Sequence, residues 1–150
     1  MHYRNYGVIT MFKIGELAEL CQISTDTLRF YEKNGLFQAS KRSNAGYRLY
    51  TESDKSRLEF ILTSKSVGFS LKEIADLLSI NLDKSNRTCG DAKQLVDDKL
   101  TQVREKLAEL ERLENSLQSL SDACCGGAES ALHCTILEAL ANNQTSASKL

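Results

Sequence analysis

The sequence predicts a mainly α-helical protein. A winged helix-turn-helix comes first, then one long helix of coiled-coil pattern, then a short cysteine-bearing loop and a terminal helix. Three observations predict it. There is no Pro and there are only 8 Gly in 150 residues, so few positions force a helix to break. Helix-capping signals recur at Ser24, at Thr51 to Asp54 and at Ser70 to Glu73. Finally, residues 91–120 contain no breaker, and apolar residues return there every three or four positions.

Each element follows in order. Ile14, Leu17, Ala18 and Cys21 repeat as one face of a short helix. Gln22 and Ile23 make a tight turn. Ser24 or Thr25 caps a second helix, with Asp26 in its first turn, where the helix dipole favours negative charge. That helix runs through Thr27, Leu28, Arg29, Phe30, Tyr31, Glu32 and Lys33, and Asn34-Gly35 stops it. Two short helices joined this tightly form a helix-turn-helix. The polar stretch 41–50 follows; its alternation after Gly46, with Tyr47, Leu49 and Tyr50 among basic residues, reads as a small hairpin or wing. The box at Thr51 opens a third helix through Leu58, Ile61 and Leu62, which Gly68 ends. The box at Ser70 opens a fourth through Ile74, Leu77 and Leu78. A loop from Asn81 leads to Cys89-Gly90.

The long helix is expected over 91–120. Val96, Leu100, Val103, Leu107, Leu110, Leu117 and Leu120 form a heptad seam interrupted at Glu114. A helix of this length with a one-sided apolar stripe needs a partner, and the same helix of a second copy is the simplest one. Periodicity leaves a parallel and an antiparallel homodimer equally open. Five segments result: an extension at 1–10, disordered, with Met11 as an alternative start; a winged-helix domain at 11–80; a linker and dimerisation helix at 81–120; a metal-binding loop and terminal helix at 121–141, the helix over 135–140; and a disordered tail at 142–150.

Bulk charge narrows the function. The net charge is −1, so the chain as a whole is no basic protein. Residues 1–75 nevertheless carry 11 Lys and Arg against 8 Asp and Glu, and residues 76–150 carry 8 against 12. A basic N-terminal half joined to an acidic one suits a single nucleic-acid-facing domain. No apolar stretch approaches the roughly 20 residues that span a bilayer, and residues 1–10 lack a signal-peptide core. A cytoplasmic protein with no membrane partner is expected, its thiols reduced.

A recognition helix puts its N-terminal residues into the major groove; here they are Ser24, Thr25, Thr27 and Arg29. Hydroxyls reach phosphates or base edges, and Arg29 reaches phosphate or guanine. Arg42, Arg48, Tyr31 and Tyr47 extend the contact along the backbone. Arg29 and Lys33 also suit ordinary solvated positions on an amphipathic helix. The basic wing directly after them favours double-stranded DNA.

Of the five cysteines, Cys21 falls on the apolar face of the first helix and reads as core. Cys89, Cys124, Cys125 and Cys134 read as ligands for a soft or borderline metal ion. Cys89 and Cys134 each stand just before a helix, where the dipole favours the thiolate that binds metal. Cys124 and Cys125, being adjacent, point apart and chelate one tetrahedral ion poorly; they suit separate ions or opposite sides of a cluster. In an antiparallel coil, Cys89 of one subunit would meet the C-terminal cysteines of the other. An incidental reduced pair in a small-residue loop is the plain alternative for Cys124-Cys125.

Several of these motifs, in order, resemble one family. They are Ile14 to Ala18, Thr27 to Leu36, Gly46 to Tyr50, Leu58 to Ile61 and Gly68 to Leu71, within a match over about 12–120. Together they resemble the MerR family of winged-helix activators. The resemblance implies an antiparallel homodimer on a palindromic operator inside an overlong promoter spacer. Effector binding then distorts the DNA so that RNA polymerase can use both promoter elements, at a cost of a few kcal/mol. Ser24, Thr25, Arg29, Tyr31, Arg42, Tyr47 and Arg48 occupy the family's DNA-contacting positions. The stretch Asp122 to Gly126, the step to Cys134, Ile136 to Leu140, and Thr88-Cys89 resemble the zinc-responsive members. That likeness implies two Zn2+ ions per site, bridged by Cys89 of the other subunit. Cys124 and Cys134 complete one shell, and Cys125 with a loop His completes the other. Here Glu129 stands at the loop His position, and His133 lies beside Cys134. Either can serve zinc, and a sulfur-richer set shifts preference toward softer ions such as Cd2+ or Pb2+.

Other classes fit less well. An iron–sulfur redox sensor of the same fold would favour four cysteines in one compact loop, whereas Cys89 stands well upstream. A thiol enzyme lacks both a C-x-x-C and a His/Asp pair to activate a nucleophile. With no catalytic constellation, the chain reads as a non-enzyme.

Overall fold

A short helix needs its ends satisfied and one face covered, and the N-terminal elements meet both needs. A computed structural model describes residues 10–142. The expected extension up to residue 9 and the expected tail from residue 143 lie outside them. Strand β1 (Met11–Phe12) leads into helix α1 (Ile14–Leu20), which buries Leu17 and Ala18. The amide of Lys13 donates to Glu16 Oε2 at 2.6 Å and so closes the N-terminus of α1. Helix α2 (Thr25–Lys33) starts on Ser24, whose Oγ accepts from the Thr27 amide at 3.1 Å.

Helices α1 and α2, and the third helix, α3 (Glu52–Ser66), end on the same device. A left-handed residue stands at Gln22, Gly35 and Gly68, with φ of 56°, 72° and 97°. The next amide reaches back five residues: Ile23 to Ala18, Leu36 to Tyr31, Phe69 to Ser64. This closure satisfies orphan carbonyls and turns the following apolar residue inward. Leu36 and Phe69 are accordingly 3% and 7% exposed. Gln22 does the work of a glycine here, which is uncommon for a residue with a side chain.

The wing is a hairpin of β2 (Lys41–Arg42) and β3 (Arg48–Thr51), paired antiparallel with Arg42 opposite Arg48. Strand β3 also pairs with β1, Phe12 opposite Tyr50, giving the order β1-β3-β2. Asp54 of α3 is buried and fastens this region. Its Oδ2 accepts from the Thr51 amide at 2.8 Å, and its Oδ1 from Ser40 Oγ at 2.5 Å. The Arg57 Nε donates to the Leu36 carbonyl at 3.0 Å and ties α3 to the end of α2. Helix α4 (Leu71–Leu82) begins on Ser70 with Glu73 closing its box. Leu17, Leu28, Tyr50, Leu58, Ile61 and Ile74 are wholly buried in one cluster between these elements.

Helix α5 (Cys89–Asp122) is longer than its apolar pattern indicates at both ends. Thr88 and Asp91 cap it reciprocally: the Thr88 amide donates to Asp91 Oδ2 at 2.7 Å and the Asp91 amide to Thr88 Oγ1 at 3.2 Å. Cys89 is therefore the first residue of the helix and does not stand before it, as the pattern led one to expect. Likewise α4 continues through Leu82 instead of ending before Asn81. The chain divides into two units between Lys99 and Leu100, within α5.

In the second unit α5 buries no residue, and Leu100, Val103, Leu107, Leu110 and Leu117 are exposed. Leu113, also exposed, fills the gap that the heptad reading leaves at Glu114. After α5, a 3-10 turn (Ala131–His133) leads to α6 (Thr135–Ala141). The Thr135 hydroxyl donates to the Ala123 carbonyl at 2.5 Å, lacing the start of α6 to the end of α5. Among the described residues, no helix is long and apolar enough to cross a membrane.

Candidate nucleic-acid interface and cysteine site

The N-terminus of α2 and the wing present most of the residues expected to meet DNA. Ser24 Oγ and Thr27 Oγ1 are 2.9 Å apart and cap the helix between them. Thr25 is half-buried. Arg29 is exposed, its guanidinium 3.8 Å from Asp26. Tyr47 projects from the wing at 72% exposure. Arg42 donates to the Gly46 carbonyl at 3.0 Å, which pins the wing turn. Arg48 lies 3.7 Å from Glu32, and the buried Tyr50 hydroxyl donates to the same carboxylate at 2.9 Å. Burial and that carboxylate push the Tyr50 phenol well above its ordinary value.

Tyr31 differs from the rest. It is 5% exposed, part of the core cluster, with its ring 5.8 Å from that of Phe30. It lies on the buried face of α2, in the core cluster with Leu28 and Leu36.

A groove runs between α2 and the wing, lined by Lys13, Ile14, Arg29, Tyr47 and Arg48. Three cations and an aromatic ring around one depression suit a phosphate backbone. Lys13 was not among the residues that the sequence pointed to. It sits at the cap of α1, where attention falls on the apolar face, and only the pairing of β1 with β3 brings it to the wing.

The cysteines fall in both units. Cys21 is half-buried against the core, and burial raises its thiol above the ordinary value. Cys89 is exposed at the start of α5, in the first unit. Cys124 and Cys134, in the second, are half-buried. Cys134 is the N-cap of α6. The amides of Leu137 and Ile136 and a hydrogen bond with Cys124 outweigh burial and draw its thiol below the ordinary value. The chain thus folds two sulfurs that stand ten positions apart together, one of them predisposed to the thiolate. Cys125 is exposed beside them, with Gly127 packed near its sulfur. Glu129 and His133 are exposed. Among the described residues, no three His, Cys, Asp or Glu side chains gather at one point. Two soft donors supply half of a tetrahedral shell, and the donor set fits a thiophilic ion.

Comparison with known proteins gives consistent results. Residues 12–80 match the MerR HTH family regulatory protein model, and residues 55–120 match the model for MerR, DNA binding. The chain is 47% identical to the HTH-type transcriptional regulator ZntR of Escherichia coli K12, over 87% of this chain and 92% of that one. It is 34% identical to the mercuric resistance operon regulatory protein of Bacillus cereus, over 86% and 96%. Its fold resembles that of the transcription regulator PbrR691 from Ralstonia metallidurans CH34, crystallised with lead(II). The TM-score there is 0.76 and the identity 38%, over 86% of this chain and 98% of that one. These relatives are transcription regulators, not enzymes. The helix-turn-helix, the wing and the long helix lie within the matched range, and the chain belongs to the MerR family of helix-turn-helix transcriptional regulators.

Proposed function

We propose that this protein is a metal-responsive transcription activator, with Zn2+ as its effector, that binds a palindromic promoter operator as a homodimer. On metal binding it distorts the DNA so that RNA polymerase transcribes metal-efflux genes. The observation that carries the reading is the folding of Cys124 against an acidified Cys134, in a chain whose relatives include ZntR and a lead-bound regulator.

On this reading Ser24, Thr25, Thr27, Arg29, Arg42, Tyr47 and Arg48 contact DNA, and Lys13 joins them at the phosphates. Tyr31 holds α2 from beneath. The exposed apolar row of α5 supports a second copy as its cover: burying a Leu or Val side chain contributes about 1.5–3 kcal/mol. Cys124 and Cys134 hold one ion, with Cys89 supplied by the second copy, and Cys125 with Glu129 or His133 holds another. The metal supplies a cross-link between segments that the thiols alone do not join. Charge on the soft ion is met by thiolate, so uptake releases protons. A regulator for Cd2+ or Pb2+ is the second reading; the pairing of the Cys124 and Cys134 sulfurs and the likeness to the lead-bound structure favour it.

The test is run-off transcription from the cognate promoter with the reduced protein, titrated with Zn2+, Cd2+ and Pb2+ at buffered free concentrations. Activation by Zn2+ at the lowest free concentration supports the first reading. Earlier activation by Cd2+ or Pb2+ supports the second, and no response to any metal contradicts both.

A further inference from the structure

We propose that Lys99, Glu73 and Ser70 form a latch through which the long helix holds the DNA-binding unit. Lys99 is then a positioning residue for the regulated step. The inference rests on the metal-responsive reading above and names a route by which that response is conveyed.

The latch converges on one oxygen. Glu73 Oε2 accepts from the Ser70 amide at 2.7 Å, completing the capping box of α4, and lies 2.8 Å from Lys99 Nζ on α5. Both side chains are largely covered, 15% exposed for Lys99 and 21% for Glu73. The Lys99 ammonium also stands 6.0 Å from the centre of the Phe69 ring, itself a core residue, within reach of a cation–π attraction. The lysine hydrogen bond is the largest cause holding the Glu73 carboxyl far below its ordinary value, at about 2.

Two other ion pairs of α5 are of another kind. Lys93 with Asp97 and Lys106 with Glu109 are neighbours on one helix and well exposed; such pairs contribute little. Lys99 instead joins two elements, and it is the last residue of the first unit before α5 continues into the second. A turn of α5 about its own axis swings Lys99 around the helix, and the shared oxygen on α4 then gains or loses its cation. Two arrangements that differ in such a contact are what an effector needs in order to bias one against the other.

Two variants of the full chain separate coupling from folding. Glu73→Gln keeps an oxygen for the Ser70 amide and removes the charge. Lys99→Met keeps the stem over Phe69 and removes the ammonium. Zinc affinity by chelator competition, operator affinity with and without zinc, and zinc-dependent run-off transcription are measured on each and on the double variant. We expect a metal-free operator affinity close to the parent's, and a zinc affinity that shifts by no more than the lost contact biases the two arrangements. The ratio of zinc-loaded to metal-free transcription falls by about five-fold or more in each single variant, and no further in the double. An unchanged ratio in both single variants overturns the latch. So does a loss of operator affinity of equal size with and without zinc, which marks a merely structural role. A parent chain that no metal activates overturns the functional reading itself, and the latch with it; that outcome is distinct from a responsive parent with equally responsive variants.

Discussion

At the scale of single residues, the chemistry is set by what each side chain is made to share. Cys134 shares its sulfur with two amides and a second thiol and becomes acidic, whereas Cys21 shares its sulfur with the core and becomes less so. Replacing a group that merely orients a metal ligand lowers affinity by about 10–100-fold. Cys134→Ser or Cys124→Ser, which removes a ligand, should exceed that in a chelator competition, while Cys21→Ala should leave metal affinity unchanged. Glu73 gives a pH signature. Its carboxyl is lowered from 4.5 to about 2 in the folded protein, so the stabilisation it gives is fully present above pH 4.5 and is lost as pH falls through about 2. Melting curves of Glu73→Gln and the parent should differ at pH 6 and converge toward about pH 2; a constant difference throughout would contradict the ion pair. Lys13→Ala should weaken operator binding alike for all sequences and lower the salt slope by about 1 per subunit, as fluorescence anisotropy at several salt concentrations would show.

At the scale of elements, what was legible is what local chemistry writes. The capping boxes at Thr51 and Ser70 stand where their sequences put them, and the wing hairpin follows from the alternation after Gly46. Strand β1 was not legible: two residues carry no periodicity, and Met11 and Phe12 pair only because β3 passes beside them. The start of α5 was also missed, since Thr88 and Asp91 cap it from outside the apolar pattern. Within the candidate site, the four ligand-type cysteines were legible as a class from their places in the chain, off the apolar face that holds Cys21. Which two meet depends on the loop closed by Thr135 and Ala123, and no spacing rule gives that. Tyr31 illustrates the converse: a tyrosine in a recognition helix resembles a DNA contact in the sequence, but helical phase turns it into the core. Tyr50 has the clearest structural role of the aromatics, stacked on Phe37 at 5.5 Å and bonded to Glu32. Losing a hydrogen bond to a charged group costs about 1.5–3 kcal/mol, so Tyr50→Phe should lower the unfolding free energy by that much, seen as a lower denaturant midpoint with an unchanged slope.

At the scale of the whole molecule, the account depends on two copies. The exposed row from Leu100 to Leu117 predicts that Leu113→Lys lowers the molar mass in sedimentation equilibrium from dimer toward monomer and weakens operator binding with it. Each copy brings two sulfurs together, and a tetrahedral ion needs four donors, so metal binding and dimerisation should be linked. The most direct test of the central claim is the zinc stoichiometry of the reduced dimer, measured alongside zinc-dependent transcription, in the parent and in Cys89→Ser. The account predicts bound zinc and activation in the parent, and loss of both in Cys89→Ser with the dimer intact. A parent dimer that binds no zinc, or a Cys89→Ser dimer that binds and responds like the parent, would contradict it.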